Sequence, residues 1–178
     1  MSKIDKKLDI SFRLLTKEDI PIIAQAFNSI KWNKPHSLFE QYLEEQAQEE
    51  RIIWLAFIKD SFAGYITLKR TSLYQPFYAQ NIPEIMDLNV LPASRNNGIG
   101  SMLLDIAEDE AKKKGDLIGI GVGLYGGVSD GYGAAQRLYI ARGYIPDGNG
   151  VTYDGLPVIW GERYLVDDDL ILWLTKKL

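Results

Sequence analysis

Residues 95–100 have the sequence Arg-Asn-Asn-Gly-Ile-Gly and lie between a predicted strand and a predicted helix. Consecutive backbone N–H groups at the start of a helix, with the helix dipole behind them, form a site for an anion. Gly98 and Gly100 let the backbone approach a phosphate without a Cβ atom in the way, and Arg95 can add a charge-assisted contact. A glycine-rich turn without a ligand is the alternative, because the stretch is neither a Walker loop nor a complete G-x-G-x-x-G motif.

The elements on either side of this stretch are a strand and an amphipathic helix. Residues 84–90 form the predicted strand, and Pro92 ends it because proline has no backbone N–H. Residues 98–114 form the predicted helix, with apolar residues on one face and Gly115 just after its end. Three acid-to-lysine pairs four residues apart are expected to support this helix: Glu108–Lys112, Asp109–Lys113 and Glu110–Lys114.

The remaining segments alternate between strands and helices. Before residue 84 we predict a strand at 10–14, a helix capped by the Thr16–Asp19 stretch, a helix from Leu38 to about Glu50, strands at 51–59 and 62–70 around a Lys59-Asp60-Ser61 turn, and a loop at 72–83. After residue 115 we predict a strand at 117–124, a helix from about 131 to 142 capped by Asp130, a short strand at Tyr144 and a last strand near 170–174. This order predicts an α/β or α+β sheet with helices on its faces.

The strand at 117–124 has glycine at every second position, namely Gly119, Gly121 and Gly123. One face of this strand therefore carries no side chains. Either a closely packed helix or the extended arm of a cofactor can occupy such a face, and the sequence leaves both alternatives open.

Composition excludes several classes of function. The chain has 178 residues, of which 46% are hydrophobic, and we expect one domain over residues 1–178. The net charge of −4 argues against nucleic-acid binding. The absence of cysteine excludes disulfides, thiolate metal sites and a cysteine acyl-enzyme, and the single histidine, His36, cannot build a histidine-rich metal site. No segment is apolar enough to span a membrane and the first residues are not typical of a secretory signal, so we expect a cytoplasmic protein.

A second motif lies downstream, in the order Ala135-x-x-Leu138-Tyr139-x-x-x-Gly143-Tyr144. By itself it is compatible with an ordinary core tyrosine whose hydroxyl is hydrogen-bonded. Together with the strand at 84–90 and the R-x-x-G-x-G loop, however, it resembles the GNAT superfamily of acetyl-CoA-dependent N-acetyltransferases in order and spacing. The resemblance covers residues 84–147. It implies a GNAT-like α/β (α+β) fold, with a single mixed, mostly antiparallel sheet and helices on both faces.

The resemblance also implies a site for acetyl-CoA as co-substrate. The backbone of the R-x-x-G-x-G loop is expected to hold the pyrophosphate, and the end of the preceding strand is expected to pair with the pantetheine arm. Two positions of the last helix complete the set, although Tyr132 stands where the family often has asparagine. The cofactor-binding residues predicted in this way are Leu88, Asn89, Val90, Arg95, Asn96, Asn97, Gly98, Ile99, Gly100, Ser101, Tyr132 and Ala135.

The predicted catalytic residues are Tyr139, Asp87 and Glu84. Without a cysteine, direct transfer in a ternary complex is the simplest route, and Tyr139 matches a family tyrosine that is commonly near the thioester sulfur and can protonate the departing thiolate. Asp87 and Glu84 are candidate bases, through water, although residues three apart in a regular strand face opposite sides. A solvated or structural carboxylate is the alternative for each. The backbone N–H of Asn89 or Val90 is a candidate donor to the carbonyl oxygen.

The acyl acceptor is expected to be a small-molecule or peptide primary amine. Irregular, aromatic-rich segments at 28–37, 72–83 and 147–163 are expected to contact it, with Trp32, His36, Tyr74, Phe77, Tyr78 and Trp160 as candidate lining residues. Carboxylates at Glu84, Asp87, Asp154 and Glu162 favour a cationic amine, unless these acids face water. A non-catalytic acyl-CoA-binding or sensing module and a nucleotide-binding protein are the rival functions. The oligomeric state stays open, with a homodimer as one alternative.

Overall fold

Alternating apolar residues set the pairing of the first strands. In the computed structural model, which describes residues 8–127 and 131–178, β1 (Ile10–Leu14) pairs antiparallel with β2 (Arg51–Ile58), with Phe12 opposite Ala56. A turn at Lys59 and Asp60 leads into β3 (Ser61–Lys69), so the predicted hairpin is confirmed except that Ser61 already belongs to the strand.

In the described residues, eight strands form one mostly antiparallel sheet, in the order β1-β2-β3-β4-β5-β8-β6-β7. The parallel pair is β4–β5, which needs a crossover connection, and α4 supplies it. The pairs β5–β8, β8–β6 and β6–β7 are antiparallel. The five strands that complete the sheet are β4 (Glu84–Val90), β5 (Leu117–Gly123), β6 (Ile145–Tyr153), β7 (Leu156–Pro157) and β8 (Leu170–Lys177). The predicted mixed sheet is confirmed.

The helices follow the predicted order with one addition. They are α1 (Ile20–Ser29), α2 (His36–Ala47), α3 (Gln75–Ala79), α4 (Ile99–Ala111) and α5 (Gly133–Ala141), with 3₁₀ turns at Lys17–Asp19 and Pro92–Ser94. The helix α3 lies in the segment that was predicted to be a loop. It was not recognised in the sequence because five residues are too few to show an apolar period. The predicted cap Asp130 lies outside the described residues.

The segment at 147–163 is more regular than predicted, because β6 extends through its first part. Gly148 and Gly150 adopt positive φ angles of 87° and 84°, and the pairing with β8 shifts register between Pro146 and Val151. These irregularities remove the two-residue alternation by which a strand is recognised in a sequence.

The chain divides into two compact units, each with its own apolar core. Of the described residues, the first unit comprises 8–68 and 87–106, and the second comprises 69–86, 107–127 and 131–178. The core of the first contains Leu15, Ile20, Ile23, Phe27, Phe39, Tyr42, Ile53, Leu55, Phe57, Phe62 and Tyr65, and a core cluster of the second contains Tyr74, Phe77, Ile82 and Trp173. Within the described part of the chain, the helices are too short or too polar to cross a membrane.

The last turns of α4 make different ion pairs from those predicted. Glu108 is only 5% exposed and accepts hydrogen bonds from Arg142 at 2.8 Å and Lys176 at 2.6 Å. The predicted Glu108–Lys112 pair is therefore wrong. Exposed pairs do form on the helix, but at a spacing of three residues: Lys112 with Asp109, and Lys113 with Glu110.

Candidate active site

The R-x-x-G-x-G stretch forms an exposed turn in the first unit, directly before α4. Asn96 and Gly98 have positive φ angles of 62° and 77°, the left-handed conformation that glycine and asparagine tolerate best. The Asn97 side chain stabilises the turn by donating from Nδ2 to the carbonyl oxygens of Ser94 at 3.1 Å and Arg95 at 3.2 Å. Turn residues 95–98 are exposed, so their polar groups face solvent.

The start of α4 leaves backbone donors available next to this turn. The Met102 amide donates to the Gly98 carbonyl oxygen at 3.0 Å. The amides of Ile99, Gly100 and Ser101 precede that bond and have no partner within the helix. Ile99 is 1% exposed and fixes the first turn of the helix in the core. Free amides at the start of a helix are suited to bind an anion.

Arg95 bridges the turn to two other parts of the first unit. Its Nε donates to the Val90 carbonyl oxygen at 3.2 Å, which ties the turn to the end of β4. Its guanidinium carbon lies 5.5 Å from the centre of the Trp32 ring, within the range of a cation–π interaction. The side chain is exposed, so the guanidinium group remains accessible to an anion.

The end of β4 lies unusually close to β3. A Cβ atom on Gly64 would collide with the carbonyl oxygen of Asn89 and crowd the Cα atom of Val90, so only glycine fits there. The Leu91 amide donates to the Ala63 carbonyl oxygen at 2.9 Å just beyond this contact. The predicted pantetheine-binding residues Leu88, Asn89 and Val90 are half-buried, and Gly64 is a determinant of their position that the sequence analysis missed.

Asp87 is the centre of a hydrogen-bonded cluster drawn from four parts of the first unit. Its Oδ2 accepts from the Tyr42 hydroxyl of α2 at 2.6 Å and from the Tyr65 hydroxyl of β3 at 3.0 Å. Lys34 Nζ donates to Oδ1 at 3.0 Å and to Oδ2 at 3.2 Å. Asn89 Nδ2 donates to Oδ1 at 3.3 Å. Both carboxylate oxygens therefore already accept at least two hydrogen bonds.

The cluster keeps Asp87 ionised. Burial by itself would raise the pKa of this carboxyl group, but the Lys34 ammonium and the hydroxyls of Tyr42 and Tyr65 hold the pKa below its ordinary value. Burial and the adjacent Asp87 charge raise the pKa of both tyrosines, so their hydroxyls remain protonated donors. A carboxylate with a lowered pKa is a weak base, and this environment therefore favours a positioning role for Asp87.

A further arginine holds Tyr42 in place. The Arg51 guanidinium carbon lies 4.3 Å from the centre of the Tyr42 ring. Arg51 is itself fixed by Glu45 at 2.5 Å and by the Thr67 hydroxyl at 2.8 Å. Of the partners of Asp87, only Asn89 was predicted from the sequence to be a site residue. Lys34, Tyr42 and Tyr65 are 53, 45 and 22 residues away, and no local pattern connects them.

The second unit contains Tyr139, Glu84, Tyr132 and Ala135. Tyr139 lies on α5, is 5% exposed, and its ring is 6.0 Å from that of Tyr144. Glu84 is 3% exposed and accepts from the Ser72 hydroxyl at 2.5 Å, within a buried contact that also includes the Tyr74 amide. Tyr132 directly precedes α5, and half-buried Ala135 lies in the first turn of that helix.

Aromatic rings occupy the side-chain-free face of β5. A Cβ atom on Gly119 would collide with the Phe77 ring, and one on Gly123 would collide with the Tyr132 ring. A Cβ atom on Gly121 would meet Ile171 and Trp173 at tight distances, the nearest being 3.0 Å. The sequence left open whether a packed helix or the arm of a cofactor occupies this face. The structure shows close packing, and the groups that pack there are aromatic side chains. The Tyr132 hydroxyl also donates to Asp168 Oδ1 at 2.9 Å.

The aromatic residues proposed for the acceptor site have different surroundings. Trp32 and His36 line a groove in the first unit. Tyr74 and Phe77 are buried in the core cluster of the second unit, whereas Tyr78 is exposed and Trp160 is completely exposed. The described residues contain no group of histidine or carboxylate side chains that could hold a metal ion.

The chain is similar to known acetyltransferases in sequence pattern and in fold. A family model described as the acetyltransferase (GNAT) family matches residues 20–144. An N-acetyltransferase from Staphylococcus aureus Mu50 is 19% identical, with a TM-score of 0.66 over 95% of this chain and 98% of that chain. A ribosomal-protein-alanine N-acetyltransferase from Brucella melitensis is 18% identical, with a TM-score of 0.66 over 94% of this chain and 99% of that one.

A third structure contains a ligand. The PaiA N-acetyltransferase from Thermoplasma acidophilum, solved in complex with coenzyme A, is 18% identical, with a TM-score of 0.63 over 96% of this chain and 100% of that chain. At these identities the structural matches show a shared fold. No curated protein sequence matches the chain significantly.

Proposed function

Because the chain belongs to the GNAT family of acetyltransferases, we propose that it transfers the acetyl group of acetyl-CoA to a primary amine by direct transfer in a ternary complex. The observation that carries this proposal is the exposed turn before α4, where left-handed Asn96 and Gly98 precede three helix amides without intrahelical partners. Such a turn suits the pyrophosphate of acetyl-CoA. Solved relatives with this fold, including one bound to coenzyme A, support the same cofactor.

In this reaction the neutral amine attacks the thioester carbonyl carbon. A C–N bond forms, the C–S bond breaks, and the amine loses a proton while the coenzyme A thiolate gains one. The chain has no cysteine to carry the acetyl group, which supports transfer without an acyl-enzyme. Backbone N–H groups of Asn89 or Val90 are the proposed donors to the developing oxyanion. Tyr139 remains the predicted acid for the thiolate.

Asp87 is assigned a positioning role in this proposal. Its carboxylate holds Lys34, Tyr42, Tyr65 and the Asn89 side chain at once, and its pKa is lowered, so it is poorly suited to remove a proton. Glu84, the other candidate base, is buried against Ser72, an environment that favours a structural role. The amine is proposed to lose its proton to water or to enter already neutral. A cytoplasmic location and a homodimer remain predictions from the sequence.

The direct test is amine-dependent release of coenzyme A. The protein is incubated with acetyl-CoA and a panel of primary amines, free thiol is measured with a chromogenic reagent, and the acetylated product is identified by mass spectrometry. Because the chain has no cysteine, the protein contributes no thiol background. We expect thiol release only when an accepted amine is present. Binding of acetyl-CoA without turnover of any amine would favour the non-catalytic acyl-CoA module, and tighter binding of ATP than of coenzyme A would favour a nucleotide-binding protein.

A further inference from the structure

A groove of about 570 Å³ runs along α1 and the segment between α1 and α2 in the first unit. Ten residues between Pro21 and His36 line it. The polar ones include the amide side chains of Gln25 and Asn28 and the ammonium groups of Lys31 and Lys34. None of the ten is an acid, so the wall of the groove carries positive charge only.

Two lining residues connect the groove to the predicted cofactor site. Lys34 reaches Asp87, which directly precedes the predicted pantetheine-binding residues of β4. Trp32 packs against Arg95 of the predicted pyrophosphate turn. The segment at 31–36 therefore touches both the end of β4 and the predicted pyrophosphate turn. A molecule in the groove would contact this segment.

Among the described residues, the acid that this wall contacts is Asp87, and its charge is already used within the protein. Asp87 is already paired with Lys34 and accepts hydrogen bonds from Tyr42, Tyr65 and Asn89. An added ammonium group would have to displace Lys34. It would also lie near Lys31, which has no ion-pair partner among the described residues. Placing like charges together at a binding surface disfavours the wrong ligand. Of the four acids that favoured a cationic amine in the sequence, Asp87 is paired with Lys34, Glu84 is buried, and Asp154 and Glu162 are exposed residues of the second unit.

We propose that this groove binds an anionic group of the acceptor, so that the substrate is a primary amine that also carries a carboxylate or a phosphate. The inference rests on the proposed function and replaces the cationic amine expected from the sequence. Lys31 is the side chain that supplies the attraction, because it is exposed and projects from the left-handed turn between α1 and α2, with a φ angle of 62°. Lys34 mainly balances the charge of Asp87.

The test compares amines that share a skeleton and differ in charge. β-Alanine, β-alaninamide and 1,3-diaminopropane form one such set, and 2-aminoethyl phosphate adds the phosphate form. We expect kcat/KM to be at least tenfold higher for the acidic members than for the diamine. Calorimetry of the same amines in the presence of coenzyme A gives a reading that does not depend on turnover, and we expect heat of binding from the acidic members only. Preference for the diamine in either measurement would overturn the inference and leave the acetyltransferase function intact.

A charge-reversal pair locates the effect in the groove. We expect Lys31→Glu to raise KM for the acidic amines at least tenfold with little change in kcat, and to improve the diamine. Lys17→Glu is the matched control, because it changes the net charge equally at an exposed position of the same unit that does not line the groove. Equal effects of the two variants would contradict the inference.

The cofactor is a second source of anionic groups, and acetyl-CoA can be compared with acetyl-dephospho-CoA to distinguish it. If Lys31→Glu raised KM for acetyl-CoA but not for the dephosphorylated form, the groove would bind the cofactor phosphate and the inference would be wrong. If wild-type protein bound acetyl-CoA and the acidic amines but released no coenzyme A, the proposed function would fail while the anionic preference of the groove would stand.

Discussion

The guanidinium group of Arg95 lies over the ring of Trp32, with 5.5 Å between Cζ and the ring centre. This contact joins the predicted pyrophosphate turn to the segment that lines the groove. An anion in the turn would compete with the ring for the guanidinium group, because a charge-assisted hydrogen bond to phosphate is stronger than an exposed cation–π interaction. Occupancy of the cofactor site is therefore expected to change the surroundings of Trp32.

Tryptophan fluorescence should report this change. We expect titration with coenzyme A to alter the emission of the wild-type protein, and we expect Trp32→Phe to abolish most of that response. Trp160→Phe is the control, because Trp160 is completely exposed and lies in the second unit. A response that survives in the Trp32→Phe protein would show that the signal comes from another tryptophan, and it would contradict this expectation.

Gly100→Val should weaken coenzyme A binding. A branched side chain at the start of α4 would stand against the pyrophosphate, and we expect a loss of well over tenfold, on the order of 1.4 kcal/mol or more. Calorimetry measures the affinity, and circular dichroism checks that the variant is folded. Gly115→Val is the control, since a Cβ atom there meets nothing within 4 Å. Unchanged affinity in folded Gly100→Val protein would place the phosphate site elsewhere.

Asp87→Asn should destabilise the protein at neutral pH. The substitution removes the charged acceptor of Lys34, Tyr42 and Tyr65. A hydrogen bond to a charged group contributes about 1.5–3 kcal/mol to stability. We expect a loss of roughly that size in the free energy of unfolding, measured by chemical denaturation at pH 7. Asp109→Asn is the control, because its pair with Lys112 is exposed and should contribute less than about 1 kcal/mol.

The pH dependence of that loss follows from the sign of the pKa shift. The pKa of Asp87 is lowered in the folded protein from an ordinary value of 3.8, so its contribution is fully present above pH 3.8. The contribution is lost as the pH falls from 3.8 through the lower pKa that Asp87 has in the folded protein. In this range the unfolded chain binds the proton more readily than the folded protein does. Wild type and Asp87→Asn should converge in stability below pH 3.8. A constant difference across that range would show that Asp87 is not the group whose charge matters.

Tyr139→Phe should lower kcat more than it changes KM. Loss of a general acid for the departing thiolate is expected to cost about 10²–10⁴-fold in rate. Tyr144→Phe is a matched control, since the Tyr144 hydroxyl donates to buried Glu108 at 3.1 Å and its loss should reduce stability rather than turnover. A Tyr139→Phe enzyme with full activity would assign Tyr139 to the core of the second unit.

The order of the elements was predictable from the sequence because the signals are local. The apolar period of α4 depends on residues three and four positions apart, and the Gly98 and Gly100 spacing lies within a single turn. The same reasoning missed α3, which has five residues, and misjudged β6, whose glycines break the alternation. An element of little more than one repeat, or one interrupted by a bulge, carries no clear periodic signal.

The sequence by itself determined most of the sheet-and-helix order, the glycine-containing turn before α4 and the absence of cysteine chemistry, because each depends on neighbouring residues or on composition. Only the tertiary structure decided how the charges are used. Lys34 and Asp87 are 53 residues apart, and Glu108 and Lys176 are 68 residues apart, yet each pair is in direct contact. Whether a carboxylate acts as a base, attracts a ligand or stabilises its neighbours depends on the donors that surround it, and those donors come from distant segments that only folding brings together.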